Sequence, residues 1–115
     1  EMELVGDLAL ISKKLELDNP ALLRDLAFQM RSRYPKVSLV LGAEIDSKAH
    51  LAIMLAEVAI KDYGLNASAL IRDVSGEIQG GGGGQPFFAT AGGKNPQGID
   101  AALHKAVQVI RETIG

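Results

Sequence analysis

Five consecutive glycines, Gly80–Gly84, are the part of the sequence best suited to binding chemistry. Ordering glycine costs more backbone entropy than ordering any other residue, so a small domain keeps such a run where bare backbone has a use. Without side chains in the way, the N–H groups can reach an anionic oxygen, a base edge or another protein surface. Because the run lies between two segments with regular patterns, we predict a tight loop that a partner approaches closely.

The ten residues at 85–94 read Gln-Pro-Phe-Phe-Ala-Thr-Ala-Gly-Gly-Lys, and they do not form a known phosphate-binding motif. A P-loop needs glycine, four residues and then Gly-Lys-Ser/Thr. Here Asn95 follows Gly93 and Lys94, and Phe88 occupies the position of the first glycine. No Gly-x-Gly-x-x-Gly spacing fits the dinucleotide fingerprint either.

The remaining polar residues do not suggest an enzyme. No serine lies in a nucleophile elbow, and the carboxylates are scattered without an acid–base pair. The two histidines, His50 and His104, are far apart, and cysteine is absent. Histidine-pair and thiolate metal sites are therefore not expected. We predict neither a catalytic residue nor a metal ligand in this chain.

The charge balance limits how the chain could bind nucleic acid. Its 115 residues carry 14 acidic and 12 basic side chains, a formal net charge of −2. Free-standing nucleic-acid binders are usually basic, because phosphate neutralisation supplies most of the affinity. Any such contact here must be local, weak or assisted by another domain. No apolar stretch is long enough for a bilayer, and no signal peptide is visible, so we expect a cytoplasmic protein without membrane contact.

The apolar pattern predicts one mixed α/β domain spanning 1–115, cut from a longer protein. It has a mixed sheet with a β-hairpin, packed against about three helices. The predicted strands are residues 8–17, 37–42 and 51–55, with a short extended piece at 87–91. Asn-Pro or Asn caps predict helices that start at Asn19, Asn66 and Asn95. Phe87 and Phe88 must face opposite ways in an extended segment, so one is expected in the core and the other at an interface or under a base.

From the glycine run onward, the order of parts resembles the C-terminal, DHHA1-type module of alanyl-tRNA synthetases. That family shows a glycine-rich stretch, Arg-Pro-Asp, an aliphatic or aromatic residue, Ala-Gln-Ala-Gly-Gly, Lys and an Asp-Pro-like helix cap. The matching parts here are Gly80–Gly84, Gln85-Pro86-Phe87, Phe88, the stretch 89–93, Lys94 and Asn95-Pro96. The resemblance is specific over about 65–110. Two positions depart from it: Gln85 replaces the usual Arg, and Phe87 replaces the usual Asp.

The resemblance implies a non-catalytic module that binds the elbow of tRNA(Ala) and helps couple aminoacylation with editing. It implies contacts with the other domains of the parent ligase and, in some members, self-association. The nucleic-acid-binding residues expected on this basis are Gly81, Gly82, Gly83, Gly84, Gln85, Gly92, Gly93, Lys94 and Arg72. No cofactor is expected in this domain, because ATP and zinc belong to other domains of such a synthetase.

Two alternatives remain open at this point. The first is a homodimerisation or interdomain module, in which Phe87 is exposed at the glycine run; the low positive charge favours it. The second is the substrate-binding half of a DHH-type phosphoesterase. Relatives of that kind tend to show Gly-Gly-Gly-His, whereas Gln85 stands at the histidine position here.

Overall fold

The computed structural model describes residues 2–6 and 8–114. The strands are β1 (Met2–Val5), β2 (Leu8–Leu15), β3 (Val37–Ile45), β4 (Lys48–Met54), β5 (Gly80–Gly84) and β6 (Phe88–Gly93). The helices are α1 (Pro20–Arg33), α2 (Glu57–Tyr63), α3 (Ala67–Val74) and α4 (Ile99–Ile114). Two 3₁₀ turns, Ser75–Ile78 and Pro96–Gly98, follow α3 and precede α4.

The six strands form one mixed sheet in the order β1-β2-β3-β4-β6-β5. Strands β2 and β3 are parallel, and α1 makes the crossover that a parallel pair requires. The other pairs are antiparallel. The glycine strand β5 pairs only with β6, so it lies at one edge of the sheet.

Alternating side chains put one hydrophobic cluster on each face of the sheet. On β4, Leu51 and Ile53 join the larger cluster, which includes the apolar faces of α3 and α4. Ala52 and Met54 point the other way, into a smaller cluster with α1. The helix α1 therefore covers one face, and α3 and α4 cover the opposite face.

The α/β class, the mixed sheet, the hairpin and the three predicted helices are confirmed. Asn19 caps α1 by accepting a hydrogen bond from the amide of Ala21 at 2.8 Å, and Asn66 caps α3 through the amide of Ala69 at 3.1 Å. The predicted strands are slightly misplaced: the 8–17 strand ends at Leu15, and the hairpin strands are longer than predicted. The strand β1 and the helix α2 were not predicted.

Two predictions are wrong. The glycine run is not a loop: it is the edge strand β5, because its backbone pairs in register with β6 along its whole length. Asn95 does not cap the final helix with its side chain. Its side-chain amide instead donates to the carbonyl of Glu77 at 3.3 Å, since Asn95 lies beside the turn that follows α3.

Candidate nucleic-acid interface

The strand β5 presents free backbone groups along the open edge of the sheet. Two hydrogen bonds flank its pairing with β6: Lys94 N donates to the Gln79 carbonyl at 3.4 Å, and Gln85 N donates to the Phe88 carbonyl at 2.8 Å. Antiparallel pairing alternates bonded and non-bonded residues. In this register Gly81 and Gly83 bond to β6, and the N–H and C=O groups at 80, 82 and 84 point to the edge. All three of these glycines are exposed.

The glycines of β5 fall into two groups according to what a side chain would meet. A Cβ on Gly80 or Gly82 would lie 2.0 Å from a carbonyl oxygen of β6, and one on Gly84 would lie 2.5 Å from the Phe88 oxygen. These three are fixed by the close approach of the two strands. In contrast, a Cβ on Gly81 would meet nothing within 4 Å, and the nearest atom to one on Gly83 is the Ser68 hydroxyl at 3.9 Å.

The same test separates the glycine pair of β6. A Cβ on Gly93 would lie 2.1 Å from the Ile78 carbonyl, so glycine is required there by the turn packed against it. Gly92 is exposed, and a Cβ on it would sit 3.9 Å from its nearest neighbours, an ordinary contact. Packing therefore requires glycine at 93, whereas a larger residue would fit at 92, so the fold does not explain the glycine there.

The predicted polar residues lie near this edge. Lys94 is exposed and follows β6 directly, opposite Gln79 at the start of β5. Gln85 is exposed at the other end of the strand. Arg72 is exposed on α3, one helical turn after Ser68, the residue that faces Gly83. The structure thus brings the candidate residues of 81–85 and 92–94 together in one hairpin, with Arg72 on the adjoining helix.

A cleft of about 460 Å³ lies between this hairpin and the start of α1. Glycines of both strands form part of its lining, with Thr90 and His50 beside them and Pro20, Leu23 and Arg24 of α1 opposite. A second groove, of about 310 Å³, continues toward Gln85 and shares Arg24, Gly83 and Thr90 with the first. We call these two adjacent grooves together the α1 cleft.

An arginine–aromatic cluster borders the α1 cleft. The Arg24 guanidinium lies 4.9 Å from the ring centroid of Phe28 and 5.4 Å from that of Phe88. Phe28 packs edge-on against Phe88 at 4.9 Å and against Phe87 at 6.4 Å. Arginine over aromatic faces is held in place by cation–π attraction. The arrangement therefore holds the Arg24 guanidinium beside these rings at the rim of the cleft.

Of the adjacent phenylalanines, Phe88 is a core residue, as predicted for one of the two. Phe87 is half-buried, and the Arg31 guanidinium lies 4.7 Å from its ring centroid. Arg31 also donates to the Leu55 carbonyl at 3.3 Å. Because the cation covers the ring, Phe87 is not the open hydrophobic surface that the dimer hypothesis required.

Sequence reasoning missed Arg24, His50 and Thr90 as residues of the cleft. The spacing of four between Arg24 and Phe28 was a usable signal, because residues i and i+4 of a helix meet. His50 and Thr90 could not have been found this way. Only the strand order places β4, β6 and the start of α1 together.

Metal binding and membrane spanning have no support in the part of the chain that the structure describes. No group of three or more His, Cys, Asp or Glu side chains among these residues could hold a metal ion. None of the helices found in residues 2–6 and 8–114 is long and apolar enough to span a membrane.

Comparison with known proteins identifies the family. The DHHA1 domain model matches residues 8–112. The chain belongs to the DHHA1 domain family. The crystal structure of the C-Ala domain from Aquifex aeolicus alanyl-tRNA synthetase superposes with a TM-score of 0.79 at 30% identity, over 99% of this chain and 97% of that one. The chain is thus a DHHA1 domain of the C-Ala type, the C-terminal domain of alanyl-tRNA synthetase.

The curated relatives agree with that placement. An alanine–tRNA ligase of Cytophaga hutchinsonii is 43% identical over 96% of the chain, and one of Christiangramia forsetii is 43% identical over a similar span. The chain spans about an eighth of the length of these relatives: 12% and 13% respectively. The matched part is a non-catalytic domain of the ligase. A solved DHH-domain protein, described as a member of a family of ribosomal proteins, shares the fold, with a TM-score of 0.60 at 9% identity.

Proposed function

We propose that this DHHA1 domain binds tRNA(Ala) for a parent alanine–tRNA ligase, with the glycine edge of β5 as the contact surface. The observation that carries the proposal is the row of outward N–H groups on Gly80, Gly82 and Gly84, all exposed and unobstructed by side chains. Backbone N–H groups at a sheet edge attract anions. Lys94 lies at one end of this row and adds an exposed positive charge.

Local charge explains how an acidic domain can bind a polyanion. The lining of the α1 cleft includes Arg24 and His50 and, among the described residues, no aspartate or glutamate. Four acidic side chains lie together elsewhere, at the far end of β2 and β3: Glu16, Asp18, Glu44 and Asp46. The lining of the cleft, which holds Arg24 and no carboxylate among the described residues, is therefore favourable for phosphate.

The substitution of Gln85 for the arginine usual in the family weakens one end of this surface. Gln85 can donate an amide hydrogen bond but carries no charge. Fewer phosphates are neutralised, so binding by the domain alone should be weak and only moderately sensitive to salt. Shape and backbone contacts, as at the tRNA elbow, then matter more than base sequence.

In the parent enzyme this contact would hold one tRNA while the aminoacylation and editing domains act on it. The domain itself would need no cofactor; ATP and zinc would be bound by other parts of the ligase. The enzyme would act where translation takes place, in the cytoplasm.

Fluorescence anisotropy with labelled tRNA(Ala) tests the proposal. We expect saturable binding at low salt, weakening between about 50 and 200 mM salt with a slope set by few phosphate contacts. Replacing Lys94 with Gln should weaken binding and reduce that slope by about 1, whereas Lys36→Gln, on the exposed turn after α1, should change neither. Absence of binding at low salt with tens of micromolar domain would contradict the proposal.

Self-association is a second candidate, now supported by a different observation. An exposed edge strand offers unpaired N–H and C=O groups to another strand. Two β5 strands could pair antiparallel about a two-fold axis at Gly82, since the outward groups at 80, 82 and 84 are symmetric about it. In sedimentation equilibrium, the average molecular mass should rise toward twice the monomer mass as the protein concentration increases. A monomer mass at all accessible concentrations excludes this candidate.

A further inference from the structure

The sheet edge opposite the glycine strand carries apolar side chains that the rest of the described chain does not cover. Met2 is 61% exposed and Leu4 is 72% exposed, more than any other large hydrophobic side chain that the structure describes. Glu3 and Val5 alternate with them and face α4: Glu3 pairs with Arg111 at 2.8 Å, and Val5 packs against the larger hydrophobic cluster. Met2 and Leu4 therefore point to the other side of the sheet, where α1 lies.

The exposure of apolar side chains rises from the centre of the sheet toward this edge. Met2 lies opposite Ile11 on β2, and Ile11 lies opposite Leu39 on β3. Leu39 is buried, Ile11 is half-buried and Met2 is exposed, because α1 lies over β3 and β4 and its cover ends before β1. In the next row, Leu4 lies opposite Ala9. We call the surface formed by Met2, Leu4, Ala9 and Ile11 the β1–β2 face.

The side of α1 that borders the β1–β2 face is also apolar. Leu22, Leu26 and Met30 follow one another at intervals of four, which places them along one side of the helix. Phe28, on the opposite side, packs against Phe88 of β6. Because β6 and β2 lie on opposite sides of β3 and β4 in the sheet, the leucines and Met30 lie on the side toward β2. Leu22 is exposed, and Leu26 and Met30 are only half-buried.

The uncovered width beside α1 is that of one helix. Adjacent strands lie about 4.8 Å apart, so two strands present a face about 10 Å wide. An α-helix with its side chains has a diameter of about 10–12 Å. A helix with one apolar stripe, lying beside α1, would bury Met2 and Leu4 and complete the helical layer on this side of the sheet.

The family placement of the domain indicates where such a helix comes from. The chain is of the C-Ala type, a C-terminal domain, and it matches only 12% of the Cytophaga hutchinsonii ligase. The remainder of such a ligase precedes β1. A segment that leads into β1 reaches the domain beside Met2, and this tether gives it a high effective concentration at the β1–β2 face. A second copy of the chain or a separate protein has no such advantage.

We propose that the β1–β2 face binds an amphipathic helix of the parent ligase, located in the segment that leads into β1. Met2 and Leu4 contact the apolar stripe of that helix, and Leu22 and Met30 border it on the side of α1. The contact fixes the orientation of the domain relative to the preceding part of the ligase. The inference depends on the family placement and not on tRNA binding, which the proposed function assigns to the opposite edge of the sheet.

Site-specific photo-crosslinking in the intact parent ligase identifies what covers the β1–β2 face. Benzoylphenylalanine replaces Leu4 in one protein and, as a control, Val58 in another; Val58 is 37% exposed and lies on α2, outside this face. We expect position 4 to crosslink within one chain to a peptide of the segment that leads into β1, and position 58 to give no such product. A crosslink to a second chain or to another part of the ligase, or none above the level at position 58, would overturn the proposal.

Hydrogen exchange of the intact ligase measures how far the helix depends on these side chains. Leu4→Asp and Met2→Asp each place a charge in the contact, at positions exposed enough for the domain to keep its fold. We expect amides of the segment before β1 to exchange at least about tenfold faster in each variant, since burial of one such side chain is worth a factor of that size or more. Leu4→Met keeps an apolar side chain and should retain the protection, and Val58→Asp should not change it. If Leu4→Asp leaves this segment as protected as before while the core strands stay protected, the contact does not exist.

Discussion

Alanine at Gly82 should destabilise the domain much more than alanine at Gly81, its neighbour in an all-glycine strand. A Cβ at 82 would lie 2.0 Å from the Thr90 oxygen and 2.6 Å from the Ala91 Cα. Carbon–oxygen contacts normally lie at about 3.3–3.6 Å, so β5 must move away from β6 by more than about 1 Å. Hydrogen bonds of about 2.9 Å would then exceed their usual limit.

The magnitude follows from the bonds that break. The ladder bonds of Gly81 and Gly83 contribute about 0.5–1.5 kcal/mol each, and overpacking typically costs about 1–3 kcal/mol. We therefore expect Gly82→Ala to lose about 2–6 kcal/mol of unfolding free energy. Gly81→Ala meets no atom within 4 Å, and its reduced freedom in the unfolded chain should leave it neutral or up to about 1 kcal/mol more stable.

Urea unfolding followed by circular dichroism measures both variants, and amide exchange shows where the loss occurs. Gly82→Ala should also abolish exchange protection at 81 and 83, because those amides are the ones paired with β6. If the two variants differ by less than about 0.5 kcal/mol, the close approach of β5 to β6 does not require glycine at 82, and the division of the β5 glycines into two groups is wrong.

Three further predictions concern residues away from the glycine strand. Ser47 has a φ of 63° in the hairpin turn, so Ser47→Gly should raise the unfolding free energy by about 0.5–1 kcal/mol in urea titrations; a loss would contradict the left-handed turn. The hydrogen bond from Lys61 lowers the pKa of Glu57 below 4.5, so the stabilisation from this exposed pair is present above pH 4.5 and lost as the pH falls through the lowered value. A carboxyl NMR titration should show that lowered midpoint and its return toward 4.5 in Lys61→Met, and an unchanged midpoint would refute the pairing. Arg31→Met removes the bond to Leu55 and should cost about 1–2 kcal/mol in thermal unfolding, whereas Arg33→Met, exposed in the same helical turn, should cost little.

Local signals predicted the elements with strong patterns and failed where pairing across the chain decides the structure. Asn19 and Asn66 cap their helices because capping depends only on the next few residues. Asn95 has the same Asn-Pro pattern as Asn19, yet its side chain binds the carbonyl of Glu77, 18 residues away. Sequence alone does not show that this carbonyl lies nearby.

The glycine strand shows the same limit more clearly. Glycine has low strand propensity and no side-chain period, so five in a row indicate a loop. β5 is nevertheless a strand, because only glycine lets its backbone lie so close to β6. Composition and resemblance to the family pointed to the glycine run as the candidate binding surface. The edge position of this run, the cleft and the position of Arg24 beside it depend on strand order, which the sequence pattern did not provide.

The most direct test of the central claim is a titration of the ¹⁵N-glycine-labelled domain with tRNA(Ala). The account predicts that Gly81, Gly83 and Gly92 shift or broaden together with the edge glycines of β5, while Gly64, at the end of α2, stays unchanged. If tRNA(Ala) binds and the affected glycine is Gly64, or none, then the glycine hairpin is not the contact surface.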